Sequence, residues 1–212
     1  MTASNRMSLG NCYKFRIFVF LLFANGSKMI EYIDLETDRL ILNRFTLADA
    51  PKVQAMAGEI AIASTCLLPH PYLDGMADSW ISSHEQSIAS NTEYIWAIRL
   101  KENNELIGTV GIIFDDKNKI GEVGYWIGAD YHNQQFGREA LQVVVKFAVV
   151  TEYFNKLIAK CFSRNYPSIA ILDWCGFQPE GRHRKHIFHL DKFEDTLSYG
   201  LLIEDYMKRF QD

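Results

Sequence analysis

The chain has 212 residues and a formal net charge of −4 at pH 7, with an isoelectric point near 5.9. Hydrophobic residues make up 48% of the sequence and charged residues 23%, which is ordinary for a folded domain and excludes a disordered or collagen-like chain. The length is enough for one domain with a full core, and two domains would be cramped. The acidic balance argues against a nucleic-acid-binding protein, which normally carries a basic excess that replaces phosphate counterions.

The N-terminal segment, residues 1–28, looks like an extension ahead of a domain that we assign to residues 29–212. A basic stretch, residues 14–16, precedes an apolar run from Ile17 to Ala24 that is too short to cross a bilayer as a helix. Basic residues followed by apolar ones are typical of a secretory signal. Met29 stands just before the first domain-like residues, so we expect an extension from an upstream start codon. A surface segment or partner helix and a targeting signal are the alternatives.

The domain is predicted to begin with a strand and two helices. Apolar and polar residues alternate over 39–45, as in a half-buried strand. Residues 46–49 offer N-cap chemistry for a helix that runs to about residue 60. A loop interrupted by prolines, 67–72, then separates this helix from a second one, predicted over 75–87.

Three successive strands are predicted over 94–100, 106–114 and 119–127, joined by polar turns. The second of them is apolar on both faces, which is typical of a central strand that is covered from two sides. The pattern therefore predicts a sheet with helices on both faces.

The third of these strands leads through a short loop directly into a helix that begins at Phe136. Its apolar residues repeat at helical spacing, so the helix faces the core; they are Ala140, Leu141, Val144, Val145 and Ala148. A helix N-terminus has unpaired N–H groups and the positive end of the macrodipole, which favour an anion without any Lys. The junction predicts a phosphate site formed by the backbone amides of residues 134–139.

The C-terminal part is predicted to contain a strand over 156–162, a helix over 168–174 that ends at a left-handed Gly176, and a hairpin around 191–192. Three histidines lie on this hairpin: His183, His186 and His189. On a strand His186 should face away from the other two, and no carboxylate or Cys completes a ligand spacing, so we expect no metal site.

The four cysteines, Cys12, Cys66, Cys161 and Cys175, are scattered and form no C-x-x-C pair. This pattern predicts reduced thiols in a cytoplasmic protein. We expect Cys161 and Cys175 to be core residues and not nucleophiles.

Several motifs resemble a known family. Gly124-Tyr125-Trp126-Ile127, followed by the segment 131–140 (YHNQQFGREA), resembles the acetyl-CoA pyrophosphate loop of GNAT-superfamily N-acetyltransferases, in the RimJ/RimL-like branch that acetylates the N-termini of ribosomal proteins. Residues 35–45 resemble the first strand of that family, 165–168 with 175–177 its "N-x-x-S … G-F" segment, and 195–199 its last strand. The resemblance covers residues 35–206.

The resemblance implies an α/β (α+β) GNAT fold, with a mixed, mostly antiparallel sheet flanked by helices on both faces. It also implies acetyl-CoA as the co-substrate, bound where two strands separate. The implied cofactor-binding residues are Tyr125, Trp126, Ile127, His132, Asn133, Gln134, Gln135, Phe136, Gly137, Arg138 and Asn165. The chain departs from the family at Gln135, where the family usually has Gly, which tolerates positive φ. Arg138 could compensate with a full charge.

Three residues are candidates for catalysis. Glu122 shares a strand face with Gly124 and Trp126, so its carboxylate could deprotonate the acceptor ammonium; a surface ion pair is the alternative role. The resemblance places Asn165 and Ser168 near the pantetheine and the departing thiolate. Ser168 could also be a helix N-cap, which we favour as its main role.

The function that follows is acetyl transfer from acetyl-CoA to a primary amine by direct attack, with a protein N-terminal α-amine as the acceptor. A small-molecule amine (polyamine, amino acid or antibiotic) is the alternative acceptor, and a CoA-binding module without activity is the alternative from another class. We expect a monomer or homodimer that binds neither nucleic acid, membrane nor metal.

Overall fold

The computed structural model describes residues 30–208 in full and, ahead of them, the backbone of residues 23–24 and 27–28. Those two short stretches, Phe23–Ala24 (β1) and Ser27–Lys28 (β2), pair with each other in antiparallel fashion. Most of the predicted extension, residues 1–28, lies outside the described residues, and its assignment stays a prediction.

The domain is built on an eight-stranded sheet with the strand order β3-β4-β5-β6-β7-β8-β10-β9. Within the described residues, every neighbouring pair in this sheet is antiparallel except β7 and β8, which are parallel. The predicted mixed, mostly antiparallel sheet is therefore confirmed. The strands are β3 Leu35–Glu36, β4 Leu40–Asn43, β5 Glu93–Leu100, β6 Leu106–Asp115, β7 Ile120–Ile127, β8 Lys156–Phe162, β9 Gln178–His189 and β10 Lys192–Leu202.

Helices cover both faces of the sheet, as predicted. One face carries α1 (Ala50–Ala57), α2 (Ile60–Ala63) and α3 (Met76–Ala89), which form an apolar cluster with Ala97 and Trp126 of the sheet. The other face carries α4 (Phe136–Val150), α5 (Tyr166–Cys175) and α6 (Ile203–Lys208), whose apolar residues belong to the larger core cluster. The strands β5 and β6 are buried from both sides because each face of the sheet has its own helices.

The helix predicted from residue 46 to about residue 60 is wrong in its extent. Leu47–Asp49 is a 3₁₀ turn, α1 ends at Ala57, and α2 is a separate short helix. The interruption lies at Glu59, whose ψ of 129° is extended and cannot continue a helix. No helix of the described residues is both long and apolar enough to span a membrane.

Candidate active site

The centre of the sheet contains a gap between β7 and β8. The two strands are in register over three pairs, from Ile120 with Lys156 to Glu122 with Ile158, and then diverge, whereas β8 continues to pair with β10. Past Glu122, the edge of β7 that pairs with β8 over residues 120–122 faces a cleft instead of a strand. This cleft has a volume of about 1170 Å³. Main-chain N–H and C=O groups are therefore available to a ligand along the carboxyl half of β7.

The cleft opens on both faces of the sheet because alternate residues of β7 point to opposite sides. Tyr125 faces α5, where its hydroxyl lies 2.9 Å from Ser168 Oγ. Trp126 faces α1–α3 and packs in their apolar cluster. Since Glu122 and Gly124 share the face of Trp126, the predicted carboxylate and the open glycine position lie on the α1–α3 side.

The loop between β7 and α4 contains two residues with a left-handed backbone conformation. Gln135 is the N-cap residue of α4, with φ 65° and ψ 12°, and no side chain of the described residues caps this helix. Asn133 is also left-handed, with φ 61°. The prediction that position 135 needs a positive φ is confirmed, and the same requirement at Asn133 was missed although Asn tolerates that conformation better than most residues.

Arg39, which belongs to the segment that resembles the family's first strand, holds this loop in place. Its Nη1 donates to the Gln134 carbonyl at 3.1 Å, and its Nη2 lies 2.6 Å from Glu139 Oε2. Its guanidinium also stacks on the Phe136 ring, with 4.5 Å from Cζ to the ring centroid. No local pattern signals this role, since about 95 residues separate Arg39 from its partner carbonyl.

The predicted loop residues divide into those that line the cleft and those that shape it. His132, Asn133, Gln135, Phe136, Gly137 and Arg138 line the cleft. Gln134 contributes its carbonyl to Arg39 and points its amide to the Asp130 carbonyl at 3.3 Å. The Arg138 guanidinium stacks on Trp174 at 3.3 Å from the ring centroid and makes no ion pair within residues 30–208, so its charge is available to an anion.

The helix α5 begins at a cap that differs from the prediction. Asn165, and not Ser168, is the N-cap: its Oδ1 accepts from the Ser168 N–H at 3.2 Å, and its Nδ2 donates to the Thr65 carbonyl at 3.2 Å. Ser168 lies in the first turn, so its Oγ is free for Tyr125. The capping role preferred for Ser168 is wrong because Tyr166-Pro167 already occupies the first turn of the helix.

Glu122, the predicted base, lies in an ion pair. The Lys160 Nζ is 3.0 Å from Oε2 and 3.1 Å from Oε1 of Glu122, and both side chains are partly exposed. The alternative role, an ion pair, is thus present in the structure. Both residues line the cleft, so the pair stands at the gap where β7 and β8 diverge, and the role of Glu122 as a base stays a prediction.

The sequence signature of the acetyltransferase (GNAT) domain matches residues 39–178, well over half of the chain. The chain belongs to the GNAT acetyltransferase family. Among its relatives is the uncharacterized N-acetyltransferase p20 of Bacillus licheniformis, 27% identical over 174 residues, which are 81% of this chain and 97% of p20.

Two solved structures share the GNAT fold with this chain. RimL, a ribosomal L7/L12 alpha-N-protein acetyltransferase solved with coenzyme A, has a TM-score of 0.74 at 16% identity, over 81% of this chain and 99% of RimL. The microcin C7 self-immunity acetyltransferase MccE, solved with acetyl-CoA and AMP, has a TM-score of 0.70 at 22% identity, over 78% of this chain and 93% of MccE. The predicted GNAT fold is confirmed, and the chain is a GNAT acetyltransferase.

The cysteines of this GNAT domain have the properties of core residues. Cys66, Cys161 and Cys175 are free thiols, and the last two are buried. Burial disfavours the thiolate and raises the pKa of Cys161 to about 11 and that of Cys175 to about 12. Neither is therefore activated as a nucleophile, whereas Cys12 lies outside the described residues.

The histidines of the β9–β10 hairpin are not arranged as predicted. The ring centroids of His183 and His186 are only 5.1 Å apart, because an irregular register opposite Glu194 and Thr196, with Lys185 at φ 47°, turns His186 to the same side as His183. His189 lies elsewhere, 2.7 Å from the Ala63 carbonyl. Within the described residues, no group of three or more His, Cys, Asp or Glu side chains could hold a metal ion.

Proposed function

We propose that this GNAT enzyme binds acetyl-CoA in the gap between β7 and β8 and transfers the acetyl group to a primary amine, the N-terminal α-amine of a protein. The observation that carries the proposal is the diverging strand pair beside the start of α4, with left-handed residues at Asn133 and Gln135. Amides of residues 134–139 would bind the pyrophosphate, with Arg138 adding a charge. RimL with coenzyme A and MccE with acetyl-CoA, which share this fold, support the same ligand here.

The transfer is a direct attack of the neutral amine on the thioester carbonyl. Glu122 takes the ammonium proton, directly or through a water molecule, because only the neutral amine is nucleophilic. Main-chain N–H groups of β7 past Glu122 stabilise the oxyanion of the tetrahedral intermediate. When the C–S bond breaks, the hydroxyls of Tyr125 and Ser168, 2.9 Å apart, are candidate donors to the departing thiolate. Asn165 acts by holding this end of α5 to Thr65.

A protein N-terminus is the acceptor that the RimJ/RimL-like motifs favour, and RimL itself is described as an alpha-N-protein acetyltransferase. The cleft is open on the α1–α3 face, where a chain end could enter beside Glu122 and Gly124. The alternative from another class is a CoA-binding module without turnover, which two observations favour: Gln135 in place of the usual Gly, and the occupied carboxylate of Glu122.

The test combines calorimetric titration of acetyl-CoA with a thiol-release assay over peptide N-termini and small primary amines. We expect binding and turnover, with peptides preferred. Binding without turnover over the whole panel would favour the module, and preference for small amines would reassign the acceptor. Glu122→Gln should lower kcat most at low pH, where the amine is protonated. Full turnover of that variant across pH would mean that another group is the base.

A further inference from the structure

The sheet face beneath α2 and α3 contains a trough that leads away from the gap. Gly111 and Gly124 are opposite each other in register on β6 and β7, so this row has no side chains. A Cβ atom built on Gly124 would contact nothing within 4 Å among the residues that the structure describes. At its far end, on β5, the row closes at Ile95, which pairs with Gly111. We call this row the glycine trough.

The walls of the glycine trough are the neighbouring rows of the sheet. Paired residues on adjacent strands point to the same face, so Glu93, Ile113 and Glu122 form one wall. Thr109 and Trp126 form the other. Trp80 and residues of the segment from Ala61 to Leu68 line the same cleft.

The segment from Ala61 to Leu68 is attached across the gap at three consecutive carbonyls. His189 Nε2 lies 2.7 Å from the Ala63 carbonyl, the Arg164 guanidinium donates to that of Ser64 at 2.7 Å, and Asn165 donates to that of Thr65 at 3.2 Å. The trough therefore runs from the gap across β6 to β5, with Glu93 in the wall at its β5 end.

Glu93 differs from Glu122 in having no partner in the part of the chain that the structure describes. Within residues 30–208 the Glu93 carboxylate makes no hydrogen bond or ion pair, although it is half-buried and lines the cleft, whereas Glu122 is paired with Lys160. Burial raises the pKa of Glu93, because a desolvated carboxylate without a partner is disfavoured in its charged form. A cationic group of a ligand would supply the missing interaction.

Glu93 is too far from the gap to bind the amine that reacts. It lies on β5, two strands from β7, and adjacent strands are about 4.8 Å apart, so about 10 Å separate the two backbones. A cation at Glu93 would therefore be a second positive group of the acceptor, with the reacting amine at the other end of the glycine trough.

We propose that Glu93 is a specificity-determining residue that binds a second cationic group of the acceptor, an alkylammonium or a guanidinium, about 10 Å from the reacting amine. This proposal rests on the proposed acetyl transfer and narrows its acceptor. The second cation could belong to a basic side chain near a protein N-terminus or to a free diamine, and the two sources share the same chemistry at Glu93.

The experiment compares kcat/KM for aliphatic diamines of about four to eight carbons with that for monoamines of the same length, a range that spans the strand separation. A second arm compares peptides that begin Ser-Lys with peptides that begin Ser-Leu. We expect kcat/KM to be about tenfold or more higher either for the diamines than for the monoamines or for the Ser-Lys than for the Ser-Leu peptides. The value for a diamine is corrected for its two equivalent amines. The arm that shows the preference identifies the source.

Glu93→Gln should remove that preference by raising KM for the dicationic acceptor while leaving kcat and the monoamine or Ser-Leu reaction unchanged. Glu85→Gln, which removes the same charge from an exposed site on α3 outside the cleft, is the matched control and should behave as the wild type. The proposal would be overturned if kcat/KM were equal for diamine and monoamine and equal for the Ser-Lys and Ser-Leu peptides. It would also be overturned if Glu93→Gln lowered kcat/KM equally for the two members of a pair.

Calorimetric titration of the diamines and peptides into the protein with CoA keeps this test separate from that of the proposed function. If no amine is acetylated, the transferase proposal fails, and the role of Glu93 is still decided by binding. Dication binding that disappears in Glu93→Gln would support it, whereas unchanged binding or no binding would exclude it.

Discussion

The two sides of the cleft are built in different ways. On the side of α4 and α5, which we call the loop side, much of the lining comes from the loop and first helical turn, residues 131–138, and backbone geometry carries its chemistry. On the side of the glycine trough, single residues from the three strands β5, β6 and β7 and from two helical segments meet. The proposed nucleotide thioester would suit a contiguous motif, whereas an acceptor that differs from one enzyme to another would suit side chains that can change one at a time.

The largest effect should come from filling the glycine trough. Gly124→Val places two methyl groups in open space, so we expect kcat/KM for the amine to fall at least about a hundredfold, with the affinity for acetyl-CoA changed less than about threefold. Gly181→Val, on the exposed strand β9, is the matched control and should keep full activity. Equal losses of amine turnover and acetyl-CoA binding would mean that the two sides are not separable.

The loop side should respond to loss of Arg39. Arg39→Ala removes the donor to the Gln134 carbonyl and the partner of Glu139, so the loop loses its fixed geometry. We expect the Kd for acetyl-CoA to rise about tenfold, which corresponds to about 1.4 kcal/mol, with the KM of the amine nearly constant. Isothermal titration measures the first and initial rates the second. Arg182→Ala, which breaks an exposed ion pair with Asp195 away from the cleft, is the control.

Low pH should lower the free energy of unfolding through His84 of α3, the helix on the side of the glycine trough. This ring is 5% exposed, stacks edge-on with Trp80 at 4.4 Å, and has no hydrogen-bond partner among the described residues, and burial lowers its pKa from 6.5 to about 4. Above pH 6.5 the ring is neutral in both the folded and the unfolded chain, so His84 does not lower the stability. As the pH drops from 6.5 to about 4, only the unfolded chain binds a proton at His84, and the free energy of unfolding falls by up to about 3 kcal/mol.

Urea unfolding at several pH values measures this loss, with His84→Leu as the reference that cannot titrate. The free energy of unfolding of the wild type should decrease more steeply than that of the variant over this range. Parallel curves for the two proteins would show that His84 gains a proton in the folded state as readily as in the unfolded chain.

The smallest effect should come from Gln135→Gly. A left-handed Gln costs roughly 1 kcal/mol relative to Gly, and the packing of the loop offsets this cost in the wild type. The free energy of unfolding of the variant should therefore be unchanged or slightly higher. We expect acetyl-CoA binding to be unchanged or up to about fivefold tighter. A large loss of binding in calorimetry would mean that the Gln135 side chain itself contacts the ligand.

The strands, the long helix α4, the terminator Gly176 and the loop geometry at Gln135 could all be predicted, because each depends on residues close together in the chain: alternation, helical spacing, or a position that requires positive φ. The predictions that failed concern which of several residues takes a local role, or how two paired strands align. Asn165 replaces Ser168 as the cap, a register irregularity brings His183 and His186 together, and Glu59 divides a helix.

Residue order alone was therefore enough for the family, the sheet and the contiguous loop that faces α4. The folded chain was needed to reveal that Glu122 has a cationic partner while Glu93 has none among residues 30–208. It was also needed to reveal that Arg39 supports a loop almost a hundred residues away. The physical reason is that charge pairing and burial depend on distances across strands and between helices. Local patterns specify backbone conformation, but they carry no information about which side chains the sheet brings together.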